Sequence, residues 1–287
     1  MLTAPLDSIA SYINYFSAKD IPVLRRSMRS LEELREHEDA VSGRALTTEV
    51  LRDPMLALHV LVYLESHRKH SQNHDITTID RAIMMMGIRP FFLQFGNLPT
   101  AEERLSGHPK ALVGLLRVIG RAKHAAKWAR DFAIQRHDID VDEVTVAALL
   151  HEAAEILFWC FAPECMLKIE TLRVANPGVR SAVLQQSVLG VSISDTQLAL
   201  VREWHLPQLL VTLMDKANAD NSRVRTVTLA CDLARHAANG WNDPALPDDY
   251  TGISDLLHMR RSLVMQRVGV PDEYWQPVAA VEQQAEI

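Results

Sequence analysis

The sequence predicts an all-α fold, and two observations carry that prediction. Signals for the start of a helix recur along the 287 residues. No stretch alternates apolar and polar residues between hairpin turns strictly enough to indicate a strand. With 48% hydrophobic and 23% charged residues, the chain has the composition of a folded protein, not a disordered one. We therefore expect one large helical domain or two packed lobes.

Four helix starts are predicted from capping residues. Asp53 is placed to accept hydrogen bonds from free backbone N–H groups, and Pro54 suits the first helical position, where no donor is needed. Capping boxes are predicted at three further starts: Thr77 with Asp80, Asp140 with Glu143, and Ser192 with Asp195. Gly87 suits the left-handed residue after a helix end. The methionine run just before it is expected in the core.

The segment "LRVIGRAKHAAKWARDFAIQR" predicts a long helix with one buried and one basic face. At 100° per residue the buried arc consists of Val118, Ala122, Ala125, Ala129 and Phe132. A basic stripe on the other side consists of Lys123, Lys127 and Arg130. His124 is expected at the boundary, near Arg117 and Arg121. The stripe is interpreted either as a solvated face or as a surface for a partner.

The segment "FGNLPTAEERLSGHPKAL" gathers Gly, Pro, Ser and charge between two apolar-periodic segments, which indicates a connection between lobes. We therefore predict an N-terminal helical lobe over residues 1–105 and a helical core over 106–275, with a hinge near 96–109. Residues 276–287 have no amphipathic pattern and are predicted to fray.

Composition excludes several classes of function. The apolar runs are interrupted by charge before the roughly 20 residues that a membrane span needs, and the N-terminus lacks the pattern of a secretion signal. Three cysteines without a CxxC pair are expected to be buried thiols of a cytoplasmic protein. A net charge of −6 does not favour nucleic acid as a partner.

The segment "LLHEAAEIL" places His151 and Glu152 inside a predicted helix that is otherwise almost wholly apolar. Such a pair can bind Zn, Mn or Fe, or it can be a buried polar pair held by hydrogen bonds. The metalloprotease motif HExxH is excluded, because its second histidine would fall at Glu155. Glycine-rich phosphate loops and a GxSxG nucleophile turn are absent too.

Several positions around this pair follow a fixed order: His124, His151 with Glu152, the stretch "WHLP" at 204–207, and Asp232. Together with "LRDPMLALHVLVYLES" and "ITTIDRAIMMMGI", this order resembles the HDOD family, the output-domain relatives of the HD metal-dependent phosphohydrolases. The resemblance runs from about Ile21 to Asp232. It implies an HD-like helical fold in which an N-terminal helical lobe packs on a degenerate HD core.

Three positions depart from the pattern of the family or of its active relatives. Glu65 stands where an Asn is common, and "MDKAN", residues 214–218, stands where paired histidines are common. Active HD enzymes have Asp at the position of Glu152, and the extra methylene moves the carboxylate by more than metal distances tolerate, about 0.2 Å. The resemblance otherwise implies His124, His151, Glu152 and Asp232 as the metal positions.

Since HDOD proteins are generally regarded as non-catalytic, the resemblance implies a bacterial signalling adaptor without a cofactor. Signalling proteins are its expected partners, with a second copy of the chain as a further candidate. One alternative is a phosphohydrolase with Mn, Fe or Zn, acting on a nucleotide or phosphate ester. Another is a sensor of nucleotide or phosphate near Arg117, Arg121 and His124. The residues proposed for a ligand or partner surface are Arg117, Arg121, Lys123, Lys127 and Arg130.

Overall fold

The computed structural model describes residues 1–67 and 75–275, and helices are the regular secondary structure of this part of the chain. Within it the only pairing of β type is an isolated parallel bridge between Val23 and Thr100. The all-α prediction is confirmed. The predicted frayed tail, 276–287, lies outside the described residues.

The α-helices are α1 Ile9–Ser17, α2 Arg25–Arg35, α3 Gly43–Val50, α4 Pro54–Ser66, α5 Ile79–Met86, α6 Ile88–Phe95, α7 Ala101–Arg104, α8 Pro109–Gln135, α9 Val141–Leu150, α10 Ala153–Phe161, α11 Pro163–Ala175, α12 Ser181–Leu189, α13 Ile193–Glu203, α14 Gln208–Met214, α15 Ser222–Ala237, α16 Leu246–Leu257 and α17 Arg261–Val268. Short 3-10 turns cover Glu38–Ala40, Lys216–Asn218 and Asp272–Tyr274.

Two of the predicted caps are confirmed. The Asp53 carboxylate accepts a hydrogen bond from the backbone N–H of Met55 at 3.0 Å, and Pro54 occupies the first turn of α4. At α13 the Ser192 hydroxyl accepts from the backbone N–H of Asp195. Both residues satisfy a donor that the first helical turn leaves free.

The other two caps are wrong, because long-range contacts take their side chains. Helix α5 begins after Thr78, and the Thr77 hydroxyl instead donates to Glu143 Oε1 at 2.6 Å. Asp140 does precede α9 but makes no capping bond, and Glu143 Oε2 accepts from Arg223 Nη2 at 2.9 Å. These side chains join distant segments and do not cap their own helices.

The end of α5 also differs from the prediction. Gly87 has φ 83° and ψ 158°, so it has a positive φ but is extended, not left-handed helical, and it links α5 directly to α6. Met84 and Met85 are exposed, not in the core. Helix α5 turns Ile79 and Ile83 inward, which places the first two methionines on the opposite face.

Helix α8 organises the core, packing against α9, α10 and α15. All five residues of its predicted buried arc are buried: Val118, Ala122, Ala125, Ala129 and Phe132. One continuous cluster of buried side chains reaches from the first helix to the last. Gly114 is required on α8, because an added Cβ would lie 2.4 Å from Cη2 of Trp159, which packs over it.

The predicted connection between lobes is tied to the N-terminal segment by backbone hydrogen bonds. Val23 N–H donates to Pro99 O at 2.9 Å, and Ala101 N–H donates to Val23 O at 2.8 Å. Leu105, just after α7, is fully buried. The division at 105 and the hinge stay predictions.

The structure bears on two expectations from composition, the state of the cysteines and the absence of a membrane span. All three cysteines are buried and free, as predicted. The stretch Val141–Phe161 is long and apolar enough to cross a membrane by composition, but 89% of its most apolar window is buried inside the fold. That burial is typical of the core helix of a soluble protein.

Candidate functional site

His151 and Glu152 form a break between two helices, which corrects the prediction that they lie inside one. Helix α9 ends at Leu150 and α10 begins at Ala153. The buried amide of Gln197 bridges the break: its Oε1 accepts from Ala154 N–H at 2.7 Å, and its Nε2 donates to Leu150 O at 2.9 Å. Both backbone groups at the break, Ala154 N–H and Leu150 C=O, therefore have a hydrogen-bond partner.

Glu152 is buried in an ion-pair network with two arginines. Its Oε2 lies 2.7 Å from Arg121 Nη2, and its Oε1 lies 3.5 Å from Arg235 Nη2. The same Arg121 nitrogen lies 2.7 Å from Glu155 Oε2. These side chains come from three helices or their ends, so the charges join α8, α10 and α15.

Asp232, on α15, is neutralised by two cations. Arg235, one turn further along the helix, donates from Nη1 to Asp232 Oδ1 at 2.8 Å. Lys216 donates from Nζ to the same oxygen at 3.1 Å. Arg235 therefore binds both carboxylates of the predicted metal set, Asp232 and Glu152.

The histidines of the predicted set are placed differently from each other. His151 lies beside Glu152, with Nδ1 3.9 Å from Oε1, within ion-pair distance but too far for a hydrogen bond, and this nitrogen has no hydrogen-bond partner within the described residues. His124 is exposed, and its ring is tilted against that of Trp128 at 5.7 Å between centroids. The structure brings together His151, Glu152 and Asp232 through shared electrostatic contacts, with His124 further out.

These positions do not fit a metal ion. Among residues 1–67 and 75–275, no group of three or more His, Cys, Asp or Glu side chains could hold one. Both candidate carboxylates, Glu152 and Asp232, are already paired with cations, so a metal ion would have to compete with those cations for the carboxylate oxygens. The guanidinium of Arg235 lies between the two carboxylates that the resemblance assigns to the metal.

Burial and charge shift the titration of the acidic groups in different directions. Burial alone would raise the pKa of Glu152, but Arg121, His151 and Arg235 outweigh it and hold that pKa well below its usual range. The pKa of Asp232 is lowered too, since Arg235 and Lys216 offset its burial. For Glu155 burial dominates, and its pKa is raised although Arg121 is adjacent. Glu152 and Asp232 are therefore the anionic centres of the network.

The two histidines near α15 are both stabilised in the charged form. Burial favours neutral His151, but the Cys231 sulfur and Glu152 raise its pKa to about 10. His236 Nδ1 lies 2.6 Å from Asp249 Oδ2, and this hydrogen bond raises the pKa of His236. Sequence reasoning did not identify the second pair, which joins α15 to α16.

A cleft of about 1930 Å³ opens beside this network, walled by α8, α11, α12 and the end of α15. It is larger than the roughly 300–1,000 Å³ of small-molecule pockets. Its wall includes His124, His151, Glu152, Arg121 and Glu155, but not Asp232. Three tryptophans also line it: Trp128, Trp159 and Trp241.

The predicted basic surface is divided between two sides of α8. Arg117, Arg121 and Lys127 line the cleft. Lys123 is only half exposed and lies close to Arg26 and Arg52, whose charges add to burial in lowering its pKa. Arg130 is exposed and pairs with Asp142 on α9. The five residues therefore do not form one surface, because the N-terminal segment packs near Lys123.

Sequence reasoning missed three residues of the network, and two of them left a signal. Arg235 follows Asp232 by three positions, the spacing of an ion pair on one helix face. Lys216 lies within the "MDKAN" stretch that departs from the family pattern. Gln197 had no local signal, since its partners are 43 and 47 residues away.

The family model described as HDOD domain matches residues 21–219, more than half of the chain, and ends before Asp232. Among solved structures, the response regulator MmoQ of Methylococcus capsulatus aligns with TM-score 0.60 at 17% identity, covering 83% of this chain and 98% of that one. A virulence factor of Campylobacter jejuni aligns with TM-score 0.65 at 14% identity, covering 93% of each chain. Curated protein sequences give no significant match.

Proposed function

The chain belongs to the HDOD family, and we propose that it is a non-catalytic regulatory protein of bacterial signal transduction. One observation carries the proposal: the carboxylates at the HD-like metal positions, Glu152 and Asp232, are held by Arg121, Arg235 and Lys216. The protein's own cations thus stand where an active relative would use a metal ion.

The chemical reason is a competition of charges. A catalytic metal acidifies a bound water, and it needs carboxylate and imidazole ligands that are free to coordinate it. Here a divalent ion would have to displace Arg235 from two carboxylates and remain close to Lys216. Lys216 also stands in the stretch where the family often carries paired histidines, so a cation occupies the place of ligands.

The test is elemental analysis of the purified full chain together with hydrolysis assays on nucleoside monophosphates and cyclic nucleotides. We expect no stoichiometric Mn, Fe or Zn and no hydrolysis. One or two such ions per chain, with hydrolysis abolished in His151→Ala, would overturn the proposal.

A pair of variants tests the physical reason directly. Lys216→His with Arg235→Gln removes both cations from Asp232, so this double variant should bind Zn or Mn more tightly than the unmodified protein. Arg130→Gln is the matched control, because Arg130 lies on α8 in an exposed ion pair with Asp142, and it should leave metal affinity unchanged. Equal metal affinity in all three proteins would contradict the competition of charges.

The proposed regulatory role implies protein partners and a cytoplasmic location. A response regulator of the same fold is in keeping with a signalling role, and three free buried thiols suit a reducing cytoplasm. We propose that signalling proteins are the partners, with self-association as a second mode of contact. Capture of a signalling protein from native cells, repeated with purified components, tests this role.

A further inference from the structure

Three residues that line the cleft each carry a buried nitrogen without a hydrogen-bond partner within the described residues: His151 Nδ1, Trp159 Nε1 and Arg121 Nε. Trp159 is only 5% exposed and its Nε1 is buried, so we call this deep part of the cleft its floor. A buried donor left without an acceptor costs about 1–3 kcal/mol, and native proteins leave few of them. Three in one cleft indicate a ligand that brings acceptor atoms to the floor.

The exposed edge of the cleft, which we call its mouth, carries three cations that have a weak counterion or none within the described residues. Lys110 and Lys127 are exposed and form no ion pair within the described residues. Arg117 has only a distant carboxylate, 3.8 Å away on Glu170, which already binds Arg173 at 2.8 Å. The whole chain is acidic, with net charge −6, so this positive wall is a local feature that selects an anion.

Aromatic rings lie between the floor and the mouth. Trp128 is half-buried on the cleft wall, and the exposed His124 ring is tilted against it. Trp241 lines the cleft as well. Aromatic faces of this kind stack on planar rings, and base–aromatic stacking is worth about 1–3 kcal/mol.

We infer that this cleft binds a nucleotide, with the phosphate held at the mouth by Arg117 and Lys127 and the base directed past Trp128 toward the donors of the floor. The site includes two of the HD-like metal positions, His151 on the floor and His124 on the wall, and its phosphate contacts, Arg117 and Lys127, lie outside that set. The inference rests on the proposed non-catalytic role, since the nucleotide is bound and not hydrolysed.

A nucleotide fits these observations better than an acidic peptide does. The floor donors are buried, and a helix lying across the mouth would satisfy the cations but leave Trp159 Nε1 unpaired. A single molecule with phosphate at one end and ring acceptors at the other satisfies both. The cleft volume of about 1930 Å³ accommodates such a molecule in full.

The experiment measures thermal stability and calorimetric binding of the full chain with the four common nucleoside 5′-monophosphates, the matching nucleosides and orthophosphate. A ligand that binds the folded state alone raises its stability. We expect at least one nucleotide to raise the melting temperature and to bind at least tenfold more tightly than its nucleoside or orthophosphate. Equal effects of orthophosphate and nucleotide would overturn the nucleotide class.

Variants on the cleft wall locate the site. Arg117→Gln with Lys127→Gln should weaken nucleotide binding at least tenfold while leaving the melting temperature of the free protein unchanged, because both side chains are exposed. Arg130→Gln lies on the same helix outside the cleft and is the matched control. Trp159→Phe keeps a ring over Gly114 but removes the floor donor, and should weaken binding without loss of fold. Unchanged affinity in both cleft variants would refute the site.

Chromatography of the nucleotide after incubation separates this inference from the proposed function. Binding with the nucleotide intact supports both. Binding followed by hydrolysis would overturn the non-catalytic role and confirm the binding site, whereas an absence of binding by all four nucleotides would overturn the inference alone.

Discussion

Removal of Arg121 should destabilise the fold far more than removal of any exposed cation on the same helix. Arg121 lies 2.7 Å from both Glu152 and Glu155, and the three side chains are 16%, 7% and 16% exposed. Breaking a buried ion pair by removing one partner costs about 3–5 kcal/mol, because a buried charge is left without compensation. Glu152 would keep Arg235 at 3.5 Å, so we expect Arg121→Met to cost about 3 kcal/mol.

The assay is urea unfolding, with Arg130→Met as the matched control. Arg130 also pairs with a carboxylate, but both side chains are at least half exposed, at 50% and 54%. Exposed pairs contribute roughly 0–1 kcal/mol. The slope of unfolding free energy against urea should be unchanged, since neither variant alters the surface exposed on unfolding.

The pH dependence gives an independent check. Without Arg121, burial should raise the folded-state pKa of Glu155 further above its unfolded value. A group of that kind stabilises the fold below its unfolded pKa, about 4.3, and its stabilisation is lost as pH rises through the folded pKa. The deficit of Arg121→Met should therefore be smaller at acid pH than at pH 8. Equal losses for the two arginine variants, or a deficit independent of pH, would refute the assignment of Arg121 as a buried counterion.

Three further predictions use the same unfolding assay. Gly114→Ala should cost about 1–3 kcal/mol by forcing Trp159 to move, whereas Gly120→Ala, on the same helix with open space around it, should stabilise by up to about 1 kcal/mol. The reverse order would contradict the packing. Gln197→Leu leaves a donor and an acceptor unpaired at the helix break and should cost about 1–3 kcal/mol for each; a loss under 1 kcal/mol would show that the break needs no bridge. Because the pKa of His236 is raised in the folded state, its stabilisation is fully present below the unfolded pKa, about 6.5, and is lost as pH rises through the folded-state pKa. His236→Asn should therefore match the unmodified protein more closely at pH 9 than at pH 6.

Local sequence signals predicted the helices well and some of their ends poorly, for a physical reason. Asp53 and Ser192 satisfy free N–H groups of their own helices, so the residues around each were enough to identify the cap. Thr77 and Asp140 occupy similar local sequences but do not cap. Thr77 instead binds Glu143, 66 positions along the chain, and that bond depends on how the segments pack. Tertiary partners of this kind leave no local pattern.

The partners of the charged residues in the site were not predicted from local sequence either. Through the resemblance, sequence order predicted His124, His151, Glu152 and Asp232 as a set. The structure brings the last three together, whereas His124 is exposed. Sequence order did not identify what neutralises the carboxylates, since Lys216 and Arg235 acquire their roles only when α15 packs beside the break between α9 and α10. In the sequence, "MDKAN" departs from the family pattern and indicated only a loss of polar ligands. In the folded chain the same stretch supplies a cation, Lys216, to Asp232. Under the proposed function, the pocket keeps its acidic residues because internal cations meet the electrostatic need that a metal would otherwise meet.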